Sequence, residues 1–168
     1  IDAPSEDIYI DAGDVKNSIS SVQEQGTTGK LEALAKAADT SVSTSVTDTI
    51  ANPGVTVDLS ATATVAEGVE DGITYTATLS GGTAQNDIKV TLANGEEITI
   101  LAGATSGSVS IDAPSEDIYI DAGSVANSIS SVQEQGTTGK LEALAKAADT
   151  SVSTSVTDTI ANPGVTVD

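Results

Sequence analysis

The chain has no cysteine and no histidine, and it also lacks phenylalanine, tryptophan and methionine. Without cysteine there is no disulfide framework. Without cysteine or histidine, no thiolate or imidazole metal site and no Ser-His-Asp or Cys-His nucleophile can be assembled. Tyr9, Tyr75 and Tyr119 are the only aromatic residues, so the core must be built from Val, Ile, Leu and Ala. Positive charge is scarce as well. The 6 basic residues, all lysine, face 25 acidic ones, for a formal net charge of −19. Such a surface has little to offer nucleic-acid phosphates or an anionic membrane, which need Lys or Arg. It favours cations. With only oxygen donors available, a bound metal would be a hard ion such as Ca²⁺. No apolar run approaches the roughly 18–20 residues of a membrane-spanning helix, so membrane insertion is not expected. No signal peptide is evident, and the chain begins in mid-pattern, as an excised fragment would.

What is present is a repeat. Residues 1–58 recur as residues 111–168 at an offset of 110, differing at two positions, where Asp14 becomes Ser124 and Lys16 becomes Ala126. Near-identity over that span is the mark of a tandem array with a 110-residue period. An array of interchangeable units suits a spacer, whereas an enzyme needs one good site.

Within a period the apolar residues alternate. Val55, Val57, Leu59, Ala61, Ala63 and Val65 alternate with Thr, Asp and Ser, as do Ile73, Tyr75, Ala77 and Leu79. Ile88, Val90 and Leu92 lead into Asn94-Gly95, a strong hairpin signal, after which Ile98 and Ile100 return. Further strands are expected around Val109–Ile111, Val125–Val132 and Val152–Ile160. About seven short strands per period, separated by turn signals, predict an all-β, immunoglobulin-like β-sandwich. This regularity also argues against disorder, despite the charge. One segment departs from it. Leu141, Leu144, Ala145 and Ala148 have helical spacing among strong helix formers, which predicts a short helix over 139–149 before the last strand, plugging an open end of the sandwich.

Ala51-Asn52-Pro53-Gly54 and its copy at 161–164 read as junctions between units. The expected organisation is therefore the C-terminal half of an upstream repeat over 1–50, a junction over 51–54, a complete repeat over 55–160, and a junction with the start of the next repeat over 161–168. For residues 1–50 to complete the 59–110 segment instead, the chain would have to cross a strand length of about 25–30 Å. Residues 50 to 55 span at most about 18 Å. The upstream half should thus lack its sheet partners and be open to strand exchange between molecules.

In a seven-strand sandwich three segments end at one pole. They are the turn after the first strand (Glu67, Glu70, Asp71), the loop after the fifth (Asp112, Glu116, Asp117, Asp121) and the end of the last (Asp158). Like charges gathered in this way repel unless neutralised, and Ca²⁺ takes six to eight oxygen ligands in flexible geometry. Glu67, Asp71, Asp117 and Asp158 are the leading candidate ligands, followed by Asp112, Glu116 and Asp121. Asp7, in the first copy of the loop, occupies the equivalent place at the upstream pole, beside Asp48. Glu96 and Glu97 in the Asn94-Gly95 hairpin are accessory candidates, and Asp87 reads as a plain loop residue. A solvated acidic loop is the alternative, since neither an EF-hand loop nor a Gly-Gly-x-Gly-x-Asp nonapeptide occurs. Paired carboxylates also serve glycosidases, but no aromatic platform for a sugar is present, so catalysis is not expected.

SVTDTIANPGVTVDLSATATVAEG, ITYTATLSGG and VTLANGEEITILAGATSGSVSIDAPSEDIYIDAG together resemble the repeats of giant RTX adhesins, the LapA-like, biofilm-forming and ice-binding surface proteins of bacteria. The resemblance covers essentially the whole period. It implies a Ca²⁺-stabilised extender in which many immunoglobulin-like domains, each packed on its neighbours in the same chain, project an adhesive tip from the cell. It implies type I secretion and an extracellular, cell-surface location. It also points to Asp48 and Asp158 in Thr-Asp-Thr-Ile and to Glu67 in Ala-Glu-Gly as ion ligands. A carbohydrate- or surface-binding adhesin module is the alternative, for which a groove or exposed aromatics would be needed. The Ser and Thr residues of SVSTSVTDT are expected to form an ordinary solvated strand face rather than an ice-binding one.

Overall fold

The computed structural model describes residues 2–10, 13–49, 54–120 and 122–159. Residues 51–53 of the expected junction, Asp121, and the expected junction and start of the next repeat at 161–168 lie outside them. The chain divides into two units, Ile1–Glu6 with Asp11–Thr49, and Asp7–Ile10 with Ile50–Asp168.

Among its described residues the first unit contains one antiparallel pair, β1 (Asp14–Asn17) with β2 (Val42–Ser45), in the register Asp14↔Ser45 to Asn17↔Val42. Every residue of both strands is exposed.

The second unit is an all-β sandwich, with no helix among the described residues. Its strands are β3 (Val55–Ala61), β4 (Thr64–Ala66), β5 (Ile73–Ser80), β6 (Ile88–Leu92), β7 (Glu97–Ile100), β8 (Ser106–Ile111), β9 (Ser124–Asn127), β10 (Ile129–Glu134), β11 (Leu144–Lys146) and β12 (Val152–Thr157). One sheet runs β11-β3-β5-β8. The other layer runs β7-β6-β10 and, across the single residue Ser128, β9-β12-β4. Period-2 alternation is realised strand by strand. On β5, Ile73, Tyr75, Ala77 and Leu79 are buried while the residues between them face outward. These residues pack with Val55, Val57, Ile88, Val90, Leu92, Ile98, Ile100 and Ile129 as one core, with Tyr75 fully buried among aliphatic side chains. The Asn94-Gly95 turn closes the β6–β7 hairpin, and the Leu92 amide donates to the Glu96 carbonyl at 2.8 Å.

Three differences from the expected seven strands have physical causes. The first strand breaks at Thr62 because the chain changes sheets there. β3 pairs antiparallel with β5, whereas β4 pairs parallel with β12. The break is held by the Thr154 hydroxyl donating to the Thr62 carbonyl at 2.6 Å and by the Thr74 amide donating to the Thr62 hydroxyl at 3.0 Å. The sixth strand is interrupted at Ser128, followed by a register irregularity between Ile129 and Ser131, which lets one chain segment serve β12 first and β6 afterwards. Finally, the helix expected over 139–149 does not form. Its centre is β11, which pairs parallel with β3 through Leu144↔Val55 to Lys146↔Val57. The Val55 amide donates to the Ala143 carbonyl and the Ala147 amide to the Val57 carbonyl, each at 2.8 Å. A helix of about three turns is marginal without tertiary support. The open edge of β3 offers backbone partners that outweigh a weak propensity. Leu141 is still buried against the core, in extended rather than helical chain.

Two copies of one sequence thus have two fates. β9 and β12 pair with the same register as β1 and β2, shifted by 110 at both ends. Residues 19–24, the copy of β10, form no strand, and neither do residues 34–36, the copy of β11. The partners of β10 and β11 are β6 and β3, which exist only in the second unit. The two positions at which the copies differ, 14/124 and 16/126, are exposed in both.

Candidate functional site

The acidic pole of the second unit is built on the turn after β4. This turn is fastened to two other segments by its backbone. The Glu67 amide donates to the Thr157 carbonyl at the end of β12 (3.1 Å), and the Gly68 amide donates to the Pro114 carbonyl in the loop after β8 (2.8 Å). Ala113 in that loop donates in return to the Val69 carbonyl (2.9 Å). Asp71 has a left-handed backbone, φ 51°, and its amide is capped by a carboxylate oxygen of Asp112 at 2.9 Å. Gly68 is also left-handed, φ 72°, and a Cβ there would stand 3.2 Å from the Glu116 Cβ. Only glycine meets both requirements without strain. The Thr159 hydroxyl donates to the Glu116 carboxylate, tying the chain beyond β12 to the same loop.

The structure therefore brings Glu67, Asp71, Asp112 and Glu116 onto adjoining segments, with Asp158 between the Thr157 carbonyl and the Thr159 hydroxyl that bind two of them. Glu67 is the buried member of the group, with 7% of its surface exposed. Glu116 and Asp158 are half-buried, and Asp71 and Asp112 are exposed. Among the described residues no three acidic side chains stand close enough to hold a metal ion as they are. The donor chemistry, carboxylates with backbone carbonyls at hand, fits a hard cation.

Other predicted residues have local roles. The Asp117 carboxylate accepts from the Tyr119 amide at 2.7 Å, and Asp7 does the same for Tyr9 at 2.7 Å. These are Asx turns, for which Asp is favoured whether or not an ion is near. Asp121 lies outside the described residues, and Asp48 is half-buried in the first unit. Asp87 caps the Ala102 amide at 2.8 Å, and Glu97 pairs with Lys89 at 2.6 Å. Thr159 and Gly68 are structural parts of the pole that sequence reasoning passed over. The signal for Thr159 was in plain view in Thr-Asp-Thr-Ile, where attention rests on the acid rather than on the hydroxyls beside it. Among the described residues no helix is long and apolar enough to cross a membrane.

Residues 54–159, most of the second unit, match the family described as LapA domain. No curated protein and no solved structure matches the chain.

Proposed function

From the premise that the chain belongs to the LapA domain family, a family of surface-adhesin-related proteins, we propose that it is an extender segment of a secreted bacterial adhesin. Tandem sandwich repeats would hold an adhesive tip away from the cell, and Ca²⁺ would stiffen them. The observation that carries this reading is the recurrence of residues 1–58 at 111–168 with two differences. Such copying preserves a building unit.

The acidic pole supplies the proposed cation dependence. Glu67, Asp112, Glu116 and Asp158 would hold the ion, with Asp71 and Asp117 at its rim. The ion contributes neutralisation of carboxylates that otherwise repel. The chain's own contribution is to fix three segments side by side through the Glu67–Thr157, Gly68–Pro114 and Thr159–Glu116 hydrogen bonds, so that closing the site ties the turn after β4 to the segments that follow β8 and β12. A weak site of this kind fills at millimolar Ca²⁺. A ligand that binds only the folded state at ten times its Kd adds about 1.4 kcal/mol of stability.

The test is thermal melting and small-angle scattering with Ca²⁺ and with EDTA. Ca²⁺ should raise Tm by several degrees and narrow the spread of end-to-end lengths, and Glu67→Gln or Asp158→Ala should abolish the response. Melting and scattering indifferent to EDTA would remove Ca²⁺ from the proposal. A maximum dimension that does not grow by a constant step per added repeat would remove the extender itself.

A further inference from the structure

The loop IDAPSEDIYIDAG contains, besides its acids, the apolar triad Ile-Tyr-Ile, present as Ile8-Tyr9-Ile10 and Ile118-Tyr119-Ile120. The two copies are placed differently. The first belongs to the second unit, although its neighbours in sequence do not. There Tyr9 forms an antiparallel bridge with Leu141. The Ile10 amide donates to the Lys140 carbonyl at 2.7 Å, and the Glu142 amide donates to the Ile8 carbonyl at 2.9 Å. The Tyr9 hydroxyl donates to the Thr83 carbonyl at 2.7 Å. Ile8 lies over Gly82, where a Cβ would stand 2.3 Å from the Ile8 Cδ1. Ile8 and Tyr9 are half-buried against the core, and Leu141 beneath them is 5% exposed. The second copy has no such seat. Ile118, Tyr119 and Ile120 are 66%, 69% and 95% exposed.

We propose that Ile118-Tyr119-Ile120 is a plug for the following repeat of the same chain, seated there on the counterpart of Lys140–Glu142 and of Gly82-Thr83. The occupant is identified by the chemistry already displayed, since the same triad in the first copy fills that seat on this repeat. The turn at the tyrosine is already present before docking. Asp117 turns the chain at Tyr119 as Asp7 does at Tyr9, each carboxylate accepting the tyrosine amide at 2.7 Å. Docking thus adds an edge pairing and two apolar side chains to a loop already turned at its tyrosine, a short form of strand addition. A plug on one side of each repeat and a seat on another make a head-to-tail contact, which propagates along an array instead of closing on itself. Exposure of three consecutive large apolar or aromatic side chains in so acidic a loop has its explanation in the partner that covers them. This inference deepens the extender reading and rests on its tandem array, but it does not depend on Ca²⁺.

The test compares amide hydrogen exchange in the 168-residue chain and in the same chain lengthened by one period, with residues 59–168 appended after Asp168. In the shorter chain the Ile10 and Glu142 amides should exchange slowly and the Ile120 amide fast. In the longer chain Ile120 should slow by at least ~10-fold. Tyr9→Ala or Gly82→Val in the shorter chain should speed Ile10 by a similar factor while the Val57 and Val90 amides stay protected, which separates loss of the seat from loss of the fold. An Ile120 amide equally fast in both chains, with the appended repeat folded, would overturn the proposal, as would an Ile10 amide that both variants leave protected. Protection of Ile120 that appears only on adding oligosaccharide would overturn it in favour of a ligand-binding loop. All arms are run in EDTA, so failure of the Ca²⁺ site cannot mimic failure of the plug.

Discussion

Gly68 shows how one residue holds the acidic pole in shape. Its φ of 72° disfavours any side chain, and the space where a Cβ would go is taken by Glu116, 3.2 Å away. Gly68→Ala is therefore strained on two counts and should cost about 1–3 kcal/mol, read as a lower urea midpoint with an unchanged m-value. Gly103, also left-handed but with open space around its Cβ position, provides the control, and Gly103→Ala should cost less. The acids around Gly68 were legible in the sequence as a group, because turn signals and strand direction place three segments at one end. Their individual roles were not. Asp117 and Asp112 each give a carboxylate oxygen to a backbone amide, and an Asp that caps an amide has the same spacing in sequence as one that binds an ion. The apolar triad beside Asp117 was passed over for a related reason. In a stretch with four carboxylates, charge draws the eye, and nothing local shows that the hydrophobic residues between them have a seat elsewhere.

At the scale of the element, alternation was a dependable guide and helical spacing was not. Alternation survives because each strand of the core has one face that must be buried, as on β3, β5 and β6. The pattern Leu141, Leu144, Ala145, Ala148 reports only that apolar residues recur. It cannot register that β3 has an unpaired edge within reach. Strand breaks at Thr62 and Ser128 were equally invisible, since they follow from which sheet needs the chain and not from any local breaker. The distinction between strand and helix at 144–146 can be measured. Ala145 is exposed on β11, so Ala145→Val changes propensity with little change in packing. In a strand it should be neutral or stabilising by about 0.5 kcal/mol, whereas in a helix it would destabilise by a similar amount. A fall in the denaturation midpoint would contradict the parallel pairing with β3.

On the scale of the whole molecule the chain carries its own control, because one sequence occurs with and without its sheet partners. The buried residues of the described chain, from Val55 to Val156, all belong to the second unit, and the first has none. The backbone of 19–49 therefore has few cooperative bonds to break before it can enter a protease, whereas that of 129–159 is paired with β3, β4 and β6. Trypsin reads this difference directly. Lys30 and Lys36 have the same neighbours in sequence as Lys140 and Lys146. The side chains even match, with Lys36 donating to the Ile19 carbonyl at 3.3 Å and Lys146 to the Ile129 carbonyl at 3.1 Å. Sequence preference of the enzyme cancels, leaving only the free energy of opening each segment. Cleavage at Lys30 and Lys36 should outpace that at Lys140 and Lys146 by at least ~10-fold, with mass spectrometry assigning each cut. Equal rates would mean that residues 1–49 acquire a core from another source, and strand exchange between molecules would then show as a concentration-dependent rise in protection of those two lysines. In a continuous array, where every unit has its own β3 to β8, the difference should vanish.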